Sequence, residues 1–583
     1  MIFRISILAL PLLIIGACAT PPAQTDTPDP ASVTIPPAEA VAPKVAPAPE
    51  APVATQEMSG ELLYYLLSAE IAGQRGRLDV AVPFYLKAAQ LSRDPDIVER
   101  ATRIAVYARD EKSALAAAEM WVELQPDNLE AHQVTAALLM REGRVNEALP
   151  HLEQVLSVDQ ENSHNSYLLI TSLLSKEKDK QAALDAMEQL VAKRRHDPEA
   201  LYAYAHLAML VGSLGKAEAA VNQAIDMVPN WSEAHILRAN ILIRQGQNEK
   251  VMGLLHDAVE SYPDDVAIRL FYARRLVDEK QYEASREQFS ILLDYKPDDP
   301  EALYALGLLN LQTERVEEAR RNFERLIELG QRVDEAYYYL GQVAEIKKDT
   351  ATAIRYYTEV RKGSNYIDAQ IRIAAMLAEQ GDIDAARARL QNISAPTLDM
   401  ELRLFLAEGE ILRNANQYQQ AYEVYSLGLQ QMQDNSQLLY ARALTAEKLG
   451  LIDEAINDLT QIVNNEPNNA EALNALGYTL VDMTARIAEG KKYIEKALRL
   501  KPNDPAILDS MGWAYYRLGE HEKALRYLQH AFDKLKDPEI AAHLGEVLWV
   551  LGDKERARKI WDEALRATPQ DKVLLNVIER FAR

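Results

Sequence analysis

The chain has 583 residues, of which 48% are hydrophobic and 26% charged, and it carries a formal net charge of −23. These proportions are typical of a water-soluble protein, and no segment after residue 18 reaches the roughly 18 consecutive apolar residues that a membrane-spanning helix needs. The negative charge argues against nucleic acid as a partner, because binding to a phosphate backbone requires a concentrated surface of Lys and Arg.

The N-terminal segment 1–17 has the pattern of a signal peptide, with a basic residue, an apolar run from Ile5 to Ile15 and small residues after it. The stretch from Ile15 to Cys18 (Ile-Gly-Ala-Cys) resembles the lipobox of bacterial lipoproteins, with Ile where Leu is commoner. The resemblance implies that Cys18 is acylated, palmitate included, and becomes the mature N-terminus. Cys18 is the single cysteine of the chain, so a disulfide or a multi-cysteine metal site cannot form within it.

Residues 18–58 are predicted to be the lipid-bearing Cys and a tether. The segment from 19 to 58 contains ten prolines and almost no large apolar or aromatic side chains. Extended as polyproline II at ~3.1 Å per residue, a segment of this length reaches on the order of 120 Å. In lipoproteins with a lipobox, an Asp directly after the Cys signals retention in the inner membrane, and Ala19 stands there instead. The resemblance therefore implies anchoring in the outer membrane, facing the periplasm.

From residue 59 onward, special residues recur with a period of about 34 residues. Prolines lie at positions 126, 229, 263, 297, 467, 502 and 569, with every gap close to a multiple of 34. The same spacing relates the glycines Gly307, Gly341, Gly409, Gly477, Gly512 and Gly545. Within each period, two runs of helically spaced apolar residues flank a turn that carries Gly, as at Gly143 and Gly450. The pattern predicts one pair of amphipathic helices per period, with small residues such as Gly512 and Ala524 at the closest approach.

The repeat resembles the tetratricopeptide repeat. In the unit from 538 to 569, the signature positions of that family carry Leu544, Gly545, Leu548, Ala557, Trp561, Ala564 and Pro569. The resemblance covers residues 59–569 and implies an all-α superhelical solenoid of about 15 helix-turn-helix units. Residues 570–583 lack the signature and are predicted to form a capping helix. Between Leu390 and Met400 the second helix of one unit is shortened, and both a hinge and simply one short helix fit this segment.

In tetratricopeptide repeats, the first helix of each unit lines a concave groove that binds partners. The resemblance places these side chains in the groove: Tyr202, His206, Tyr304, Tyr338, Gln342, Tyr440, Tyr478, Trp513, Tyr516 and Arg517. Aromatic and Arg side chains are the most frequent anchors in protein interfaces. A Tyr ring can also fill a contact between repeats while its hydroxyl stays in water, and this alternative stays open for each Tyr. Chaperone-docking relatives hold a C-terminal carboxylate with Lys and Asn, but Tyr replaces that Lys here, which favours an extended peptide or a folded protein as ligand.

No catalytic or cofactor motif accompanies the repeats. The sequence lacks a G-x-x-x-x-G-K-[ST] loop, G-x-S-x-G, H-E-x-x-H and paired C-x-x-C. The ten histidines are scattered, and His206 and His235 are interpreted as packed or solvated side chains rather than metal ligands. We therefore expect no cofactor, no metal, no small-molecule substrate and no enzymatic activity. An enzyme acting on the cell wall is the alternative of a different class, although no motif places an acid/base pair.

The combination of lipobox, long Pro-rich tether and about 15 repeats resembles the outer-membrane lipoproteins that act as adaptors for carboxyl-terminal processing proteases. In those proteins the superhelix encircles the protease and presents cell-wall hydrolases for degradation. The resemblance thus predicts a protein-binding adaptor or scaffold, lipid-anchored to the periplasmic face of the outer membrane. An assembly factor for a secretion, pilus or exopolysaccharide export machine is the alternative within the same class.

Replacing Cys18 tests the anchor. In a Gram-negative host, we expect the wild-type chain to incorporate labelled palmitate and to sediment with outer membranes, because several acyl chains hold a protein stably to a bilayer. Cys18→Ala should lose both the label and the sedimentation. Ala19→Asp is the matched control, which should keep the label and move to the inner membrane. Palmitate on the Cys18→Ala chain would contradict the lipoprotein prediction.

Overall fold

The computed structural model describes residues 59–158 and 163–581. The predicted signal peptide (1–17) and lipid-bearing tether (18–58) lie outside the described residues. The described residues contain 31 α-helices and no β-strand, which confirms the all-α prediction. The chain divides into two compact units, of which the first ends at Asn322 and the second begins at Phe323.

The helices follow one another with short connections. The first sixteen are α1 Gly60–Gln74, α2 Leu78–Ser92, α3 Pro95–Tyr107, α4 Glu111–Leu124, α5 Leu129–Arg141, α6 Val145–Val158, α7 Ser163–Ser175, α8 Lys180–Ala192, α9 Pro198–Leu210, α10 Leu214–Met227, α11 Ser232–Arg244, α12 Asn248–Ser261, α13 Val266–Asp278, α14 Tyr282–Tyr295, α15 Pro300–Gln312 and α16 Val316–Glu328, which contains the unit boundary. The remaining fifteen are α17 Val333–Ile346, α18 Thr350–Thr358, α19 Tyr366–Glu379, α20 Ile383–Gln391, α21 Leu398–Asn414, α22 Tyr418–Gln431, α23 Ser436–Leu449, α24 Ile452–Asn465, α25 Ala470–Met483, α26 Ile487–Leu500, α27 Pro505–Arg517, α28 His521–Lys534, α29 Pro538–Val550, α30 Lys554–Ala567 and α31 Lys572–Phe581.

Within each unit, an odd-numbered helix forms a hairpin with the even-numbered helix that follows it, as the repeat predicts. We call the odd-numbered helices A helices and the even-numbered ones B helices. A B helix also packs against the A helix of the next hairpin, and neighbouring A helices contact each other, as α25, α27, α29 and α31 do. The stack ends with α31, an A helix without a B partner, whose Leu574 and Val577 are buried in the core beside α29 and α30.

The hairpins begin and turn at residues suited to those positions. Asp504 Oδ1 accepts hydrogen bonds from the N–H groups of Ala506 (3.0 Å) and Ile507 (3.1 Å). Pro505 occupies the first helical position, where an N–H would have no partner within the helix. The turn from α29 to α30 passes through Gly552, whose φ of 93° is left-handed. Five other A-to-B turns use a left-handed residue that is not glycine, with φ between 58° and 60°: Arg109, Lys280, Glu314, Lys348 and Asn416.

The two helices of a hairpin approach closely where the sequence predicts a small residue. A Cβ added at Gly512 of α27 would lie 2.6 Å from Leu528 Cγ of α28, and one at Gly545 of α29 would lie 2.0 Å from Trp561 Nε1 of α30. Ala524, the predicted small residue on α28, is fully buried. Both added-atom distances are far below van der Waals contact, so this packing requires the glycines.

Two B helices are shorter than the others among the described residues. The helices α18 and α20 have nine residues each, whereas α22 and α24 have 14. The helix α20 ends at Gln391, and α21 begins at Leu398. The segment from 390 to 400 therefore does shorten its hairpin, and its role as a hinge stays a prediction.

Alanine at two helical glycines should change stability in opposite directions. The methyl group of Gly512→Ala overpacks the contact between α27 and α28 and should cost about 1–3 kcal/mol. At Gly253, inside α12, nothing lies within 4 Å of an added Cβ. Gly253→Ala should therefore stabilise the protein by roughly 0.5–1 kcal/mol, because alanine loses less conformational freedom on folding. Thermal unfolding followed by circular dichroism measures both shifts, and shifts of the same sign would contradict a close approach at Gly512.

Candidate functional site

Four of the predicted groove residues come together on neighbouring A helices, with Tyr478 on α25 and Trp513, Tyr516 and Arg517 on α27. The Trp513 indole lies almost flat on the imidazole of His543 from α29, with ring centroids 4.1 Å apart and planes inclined by 20°. Trp513 also packs on Tyr516 at 4.9 Å between centroids, and it is only 8% exposed. Trp513 is therefore a packing residue between repeats, while Tyr478, Tyr516 and Arg517 are half-buried.

Asp482 connects α25 to α27. Its Oδ1 accepts a hydrogen bond from Trp513 Nε1 at 2.9 Å, and its backbone carbonyl accepts one from Arg517 Nη1 at 2.8 Å. The same Arg517 nitrogen lies 3.4 Å from Asp482 Oδ1. One residue of the preceding hairpin thus holds both side chains in place before any partner binds.

A buried ion pair joins α27 to α29. His543 Nδ1 lies 2.9 Å from Asp509 Oδ2 and 3.1 Å from Asp509 Oδ1, and both residues are more than nine-tenths buried. Burial opposes a charge on His543, but the attraction of Asp509, Glu539 and Asp482 outweighs it and raises the pKa of His543 to about 9. The imidazole is therefore protonated at neutral pH, and its charge lies over the Trp513 ring in a favourable cation–π contact.

Two tyrosines extend this network across the A helices. The Tyr516 hydroxyl donates to Glu546 Oε1 at 2.9 Å, and Arg580 of α31 pairs with Glu546 Oε2. Burial, reinforced by the hydrogen bond to Glu546, raises the pKa of Tyr516 to about 12, so its hydroxyl stays a donor. The Tyr478 hydroxyl donates to Glu539 Oε1 of α29 at 3.3 Å. Burial and then the charge of Glu539 raise the pKa of Tyr478 well above its usual value.

Apart from Arg517, the charged residues of this site were not predicted from the sequence. We call the whole set of contacting side chains the A-face cluster: Tyr478, Asp482, Asp509, Trp513, Tyr516, Arg517, Glu539, His543, Glu546 and Arg580. The missed signal was the repeat period itself, because Asp509 lies 34 residues before His543, and Glu546 lies 34 residues before Arg580. Residues one period apart are neighbours on adjacent A helices, so a search for opposite charges at that spacing would have found both pairs.

A second aromatic group lies in the first unit. The Tyr202 ring on α9 packs on the Trp231 ring just before α11, with centroids 4.8 Å apart, and on His206 at 6.3 Å. All three residues are half-buried. Burial, and then the charge of Arg244, lower the pKa of His206, so its ring is neutral at pH 7. Tyr202 and His206 thus form one aromatic group with Trp231.

The other predicted groove residues lie apart from these two groups. Tyr304 on α15 is 4% exposed and Tyr338 on α17 is 8% exposed, so neither ring is open to a partner. Tyr338 packs on Tyr357 of α18, with ring centroids 5.6 Å apart. Gln342 on α17 and Tyr440 on α23 are half-buried. The burial of both rings favours a packing role for Tyr304 and Tyr338 over an open position in the groove.

The arrangement is suited to binding. Tyr516 and Arg517 present aromatic and guanidinium groups in fixed orientations, which protein interfaces use as anchors. Within residues 59–158 and 163–581, no group of three or more His, Cys, Asp or Glu could hold a metal ion. In the same part of the chain, no helix is both long and apolar enough to cross a membrane.

Comparison with known proteins identifies the repeat. Family models described as tetratricopeptide repeat match residues 174–241, 272–320, 314–367 and 401–570. TPR repeat-containing protein PA4667 of Pseudomonas aeruginosa is 36% identical over 490 residues, which are 84% of this chain and 82% of that protein. The chain therefore belongs to the tetratricopeptide repeat family, and its repeats make it a protein-binding scaffold.

Other proteins are similar to the chain at lower identity. Protein CTR9 homolog of Arabidopsis thaliana is 22% identical over 437 residues, which are 69% of this chain and 38% of that protein. The solved structure of a thermophilic TPR protein of Thermus thermophilus has 24% sequence identity and a TM-score of 0.28. That match covers 32% of this chain and 97% of the other.

The pair of Asp509 and His543 should stabilise the protein more at pH 6 than at pH 9.5. The pKa of His543 is about 9 in the folded chain and about 6.5 in the unfolded chain, so the contribution is complete below pH 6.5 and lost as the pH rises through 9. Urea unfolding should show that Asp509→Asn lowers the unfolding free energy by on the order of 2 kcal/mol at pH 6 and by much less at pH 9.5. Asp562→Asn, at an exposed position of α30, is the control and should have almost no effect at either pH. A loss for Asp509→Asn that is equal at both pH values would contradict the charged pair.

Proposed function

We propose that this protein is a lipid-anchored scaffold of the outer membrane that binds protein partners in the periplasm through the A-face cluster. One observation carries the proposal: side chains from four A helices are joined by hydrogen bonds and an ion pair, and Tyr516 and Arg517 stay partly exposed. Anchors that are held in their bound orientation lose little side-chain entropy on association. The cluster can therefore bind a protein surface without rearranging.

Attachment to the membrane through Cys18 is part of the same proposal. It is supported by the resemblance of the stretch before Cys18 to a lipobox and by the Pro-rich composition of residues 19–58. A tether that reaches on the order of 120 Å lets the repeats bind partners well away from the bilayer. The predicted location on the periplasmic face of the outer membrane follows from Ala19. Lipoproteins retained in the inner membrane have Asp at this position.

The partner that we propose is a carboxyl-terminal processing protease, with cell-wall hydrolases as the proteins presented to it. The support is the shared architecture of lipobox, long tether and about 15 repeats. An adaptor of this kind needs two binding surfaces, one for the protease and one for its substrate. The aromatic group of Tyr202, His206 and Trp231 in the first unit and the A-face cluster in the second are two such surfaces.

The variant Tyr516→Ala with Arg517→Ala tests the A-face cluster. Both residues are half-buried, the buried Trp513 is left in place and Glu546 keeps its pair with Arg580, so the melting temperature should fall only modestly. Binding should weaken roughly thirty-fold or more, because one interface anchor typically contributes ~2 kcal/mol. The matched control is Arg526→Ala with Tyr527→Ala, which removes the same residue types from the B helix of the same hairpin.

The measurement is affinity capture from a periplasmic extract with the full chain, followed by mass spectrometry and by titration of the purified protease. We expect the protease to be captured by the wild type and the control and to be lost with the A-face variant. Equal capture by both variants would contradict binding through the A-face cluster. Capture of a secretion, pilus or export component without any protease would favour an assembly factor instead.

A further inference from the structure

A cavity of about 520 Å³ opens between α19 and α20, away from the residues of the A-face cluster. Its lining combines apolar side chains, polar side chains and one cation. The lining residues are Tyr366, Gln370, Leu377, Ala385, Ala388, Arg389, Asn392 and Ile393.

The shortness of α20 leaves this space open. The helix has nine residues, whereas the B helices of the next two hairpins have 14. The chain leaves the helix at Gln391, so Asn392 and Ile393 line the cavity from the connecting segment. On the helix itself, Ala385 and Ala388 present only methyl groups to the cavity. Two short side chains and a missing helical turn thus account for the volume.

Arg389 is the one charged residue that lines the cavity, and no carboxylate pairs with it among the described residues. Its Nε donates a hydrogen bond to Gln370 Oε1 at 2.9 Å, which leaves its charge without a counter-ion. The neighbouring arginines are paired: Arg387 bonds Glu408 at 3.0 Å, and Arg403 pairs with an aspartate of α19. Burial lowers the pKa of Arg389, as expected for a cation held among apolar groups.

Arg389 is only partly buried, so water solvates part of its charge, and a carboxylate bound beside it would replace that water with a charge-assisted hydrogen bond. A half-buried arginine with a purely structural role is stabilised by a carboxylate partner. Removing that partner lowers the stability of the protein. A guanidinium presents its N–H groups in a fork that matches a carboxylate. Beside Arg389, Leu377 and Ile393 offer apolar contact, and Tyr366 and Asn392 offer further polar groups.

We propose that this cavity binds a carboxylate carried beside an apolar side chain on a peptide segment of a partner protein, with Arg389 as its counter-ion. The C-terminal carboxylate of a protein and an internal acidic side chain both have this chemistry. The site shares no residue with the A-face cluster. A test of this proposal therefore does not depend on the function proposed above.

Three dansyl-labelled peptides test the proposal on the full chain by fluorescence anisotropy. The first is Gly-Ser-Ala-Leu with a free C-terminal carboxylate, the second is the same peptide amidated, and the third is amidated Gly-Glu-Ala-Leu. At least one of the two charged peptides should bind tenfold or more tightly than the neutral one. Preference for the first identifies a C-terminus as the ligand, and preference for the third identifies an acidic side chain.

Arg389→Met keeps the length of the side chain and removes its charge. It should abolish the preference for the charged peptides, while the melting temperature stays unchanged or rises, since an unneutralised cation leaves a partly buried site. Arg355→Met on α18, outside the cavity lining, is the matched control and should bind as the wild type does. The proposal is overturned if no peptide binds, if the neutral peptide binds as tightly as the charged ones, or if Arg389→Met keeps the preference. If a variant fails to fold, the comparison of the three peptides on the wild-type chain still tests whether the cavity prefers a carboxylate.

Discussion

The close approach of the A and B helices within each hairpin is the contact on which the rest of the structure depends. At Gly512 and Gly545 the facing side chains Leu528 and Trp561 occupy the space that a Cβ would need. Helices held this close form a thin, uniform hairpin, and uniform hairpins stack with a constant offset from one to the next. A constant offset brings residues one period apart within side-chain reach on neighbouring A helices, as Asp509 and His543 are.

The A-face cluster is a consequence of that stacking. Buried polar groups must find partners, since an unpaired charge in a low-dielectric interior is costly. The neighbouring hairpin supplies those partners, with Asp482 holding Trp513 and Arg517, and Glu546 holding Tyr516. A network of this type does not add much net stability, because desolvation opposes the attraction between the charges. What it does contribute is a surface whose side chains are fixed before a partner arrives.

The same nearest-neighbour construction explains why one hairpin can depart from the pattern. In a stack of repeats each hairpin contacts mainly its nearest neighbours, so a short B helix such as α20 disturbs the structure locally. The next helix compensates with polar contacts, in which Glu408 of α21 accepts from Arg387 and from Gln391. Arg389 is left facing the cavity, where its Nε donates a hydrogen bond to the Gln370 amide oxygen.

The sequence by itself determined the hairpin, its period, the close-approach positions such as Gly512 and Gly545, and membership of the tetratricopeptide repeat family. The spacing of apolar residues within each repeat reports the rotation of side chains about a helix axis. A glycine that recurs once per 34-residue period reports close packing of two helices. The tertiary structure alone decided which residues of the predicted groove are accessible, because Trp513 is covered by His543 and Tyr338 by Tyr357, and these neighbours lie on other helices. It also decided the charge of His543 and the lack of a counter-ion at Arg389, since a side chain's environment depends on partners from other helices that no local pattern specifies.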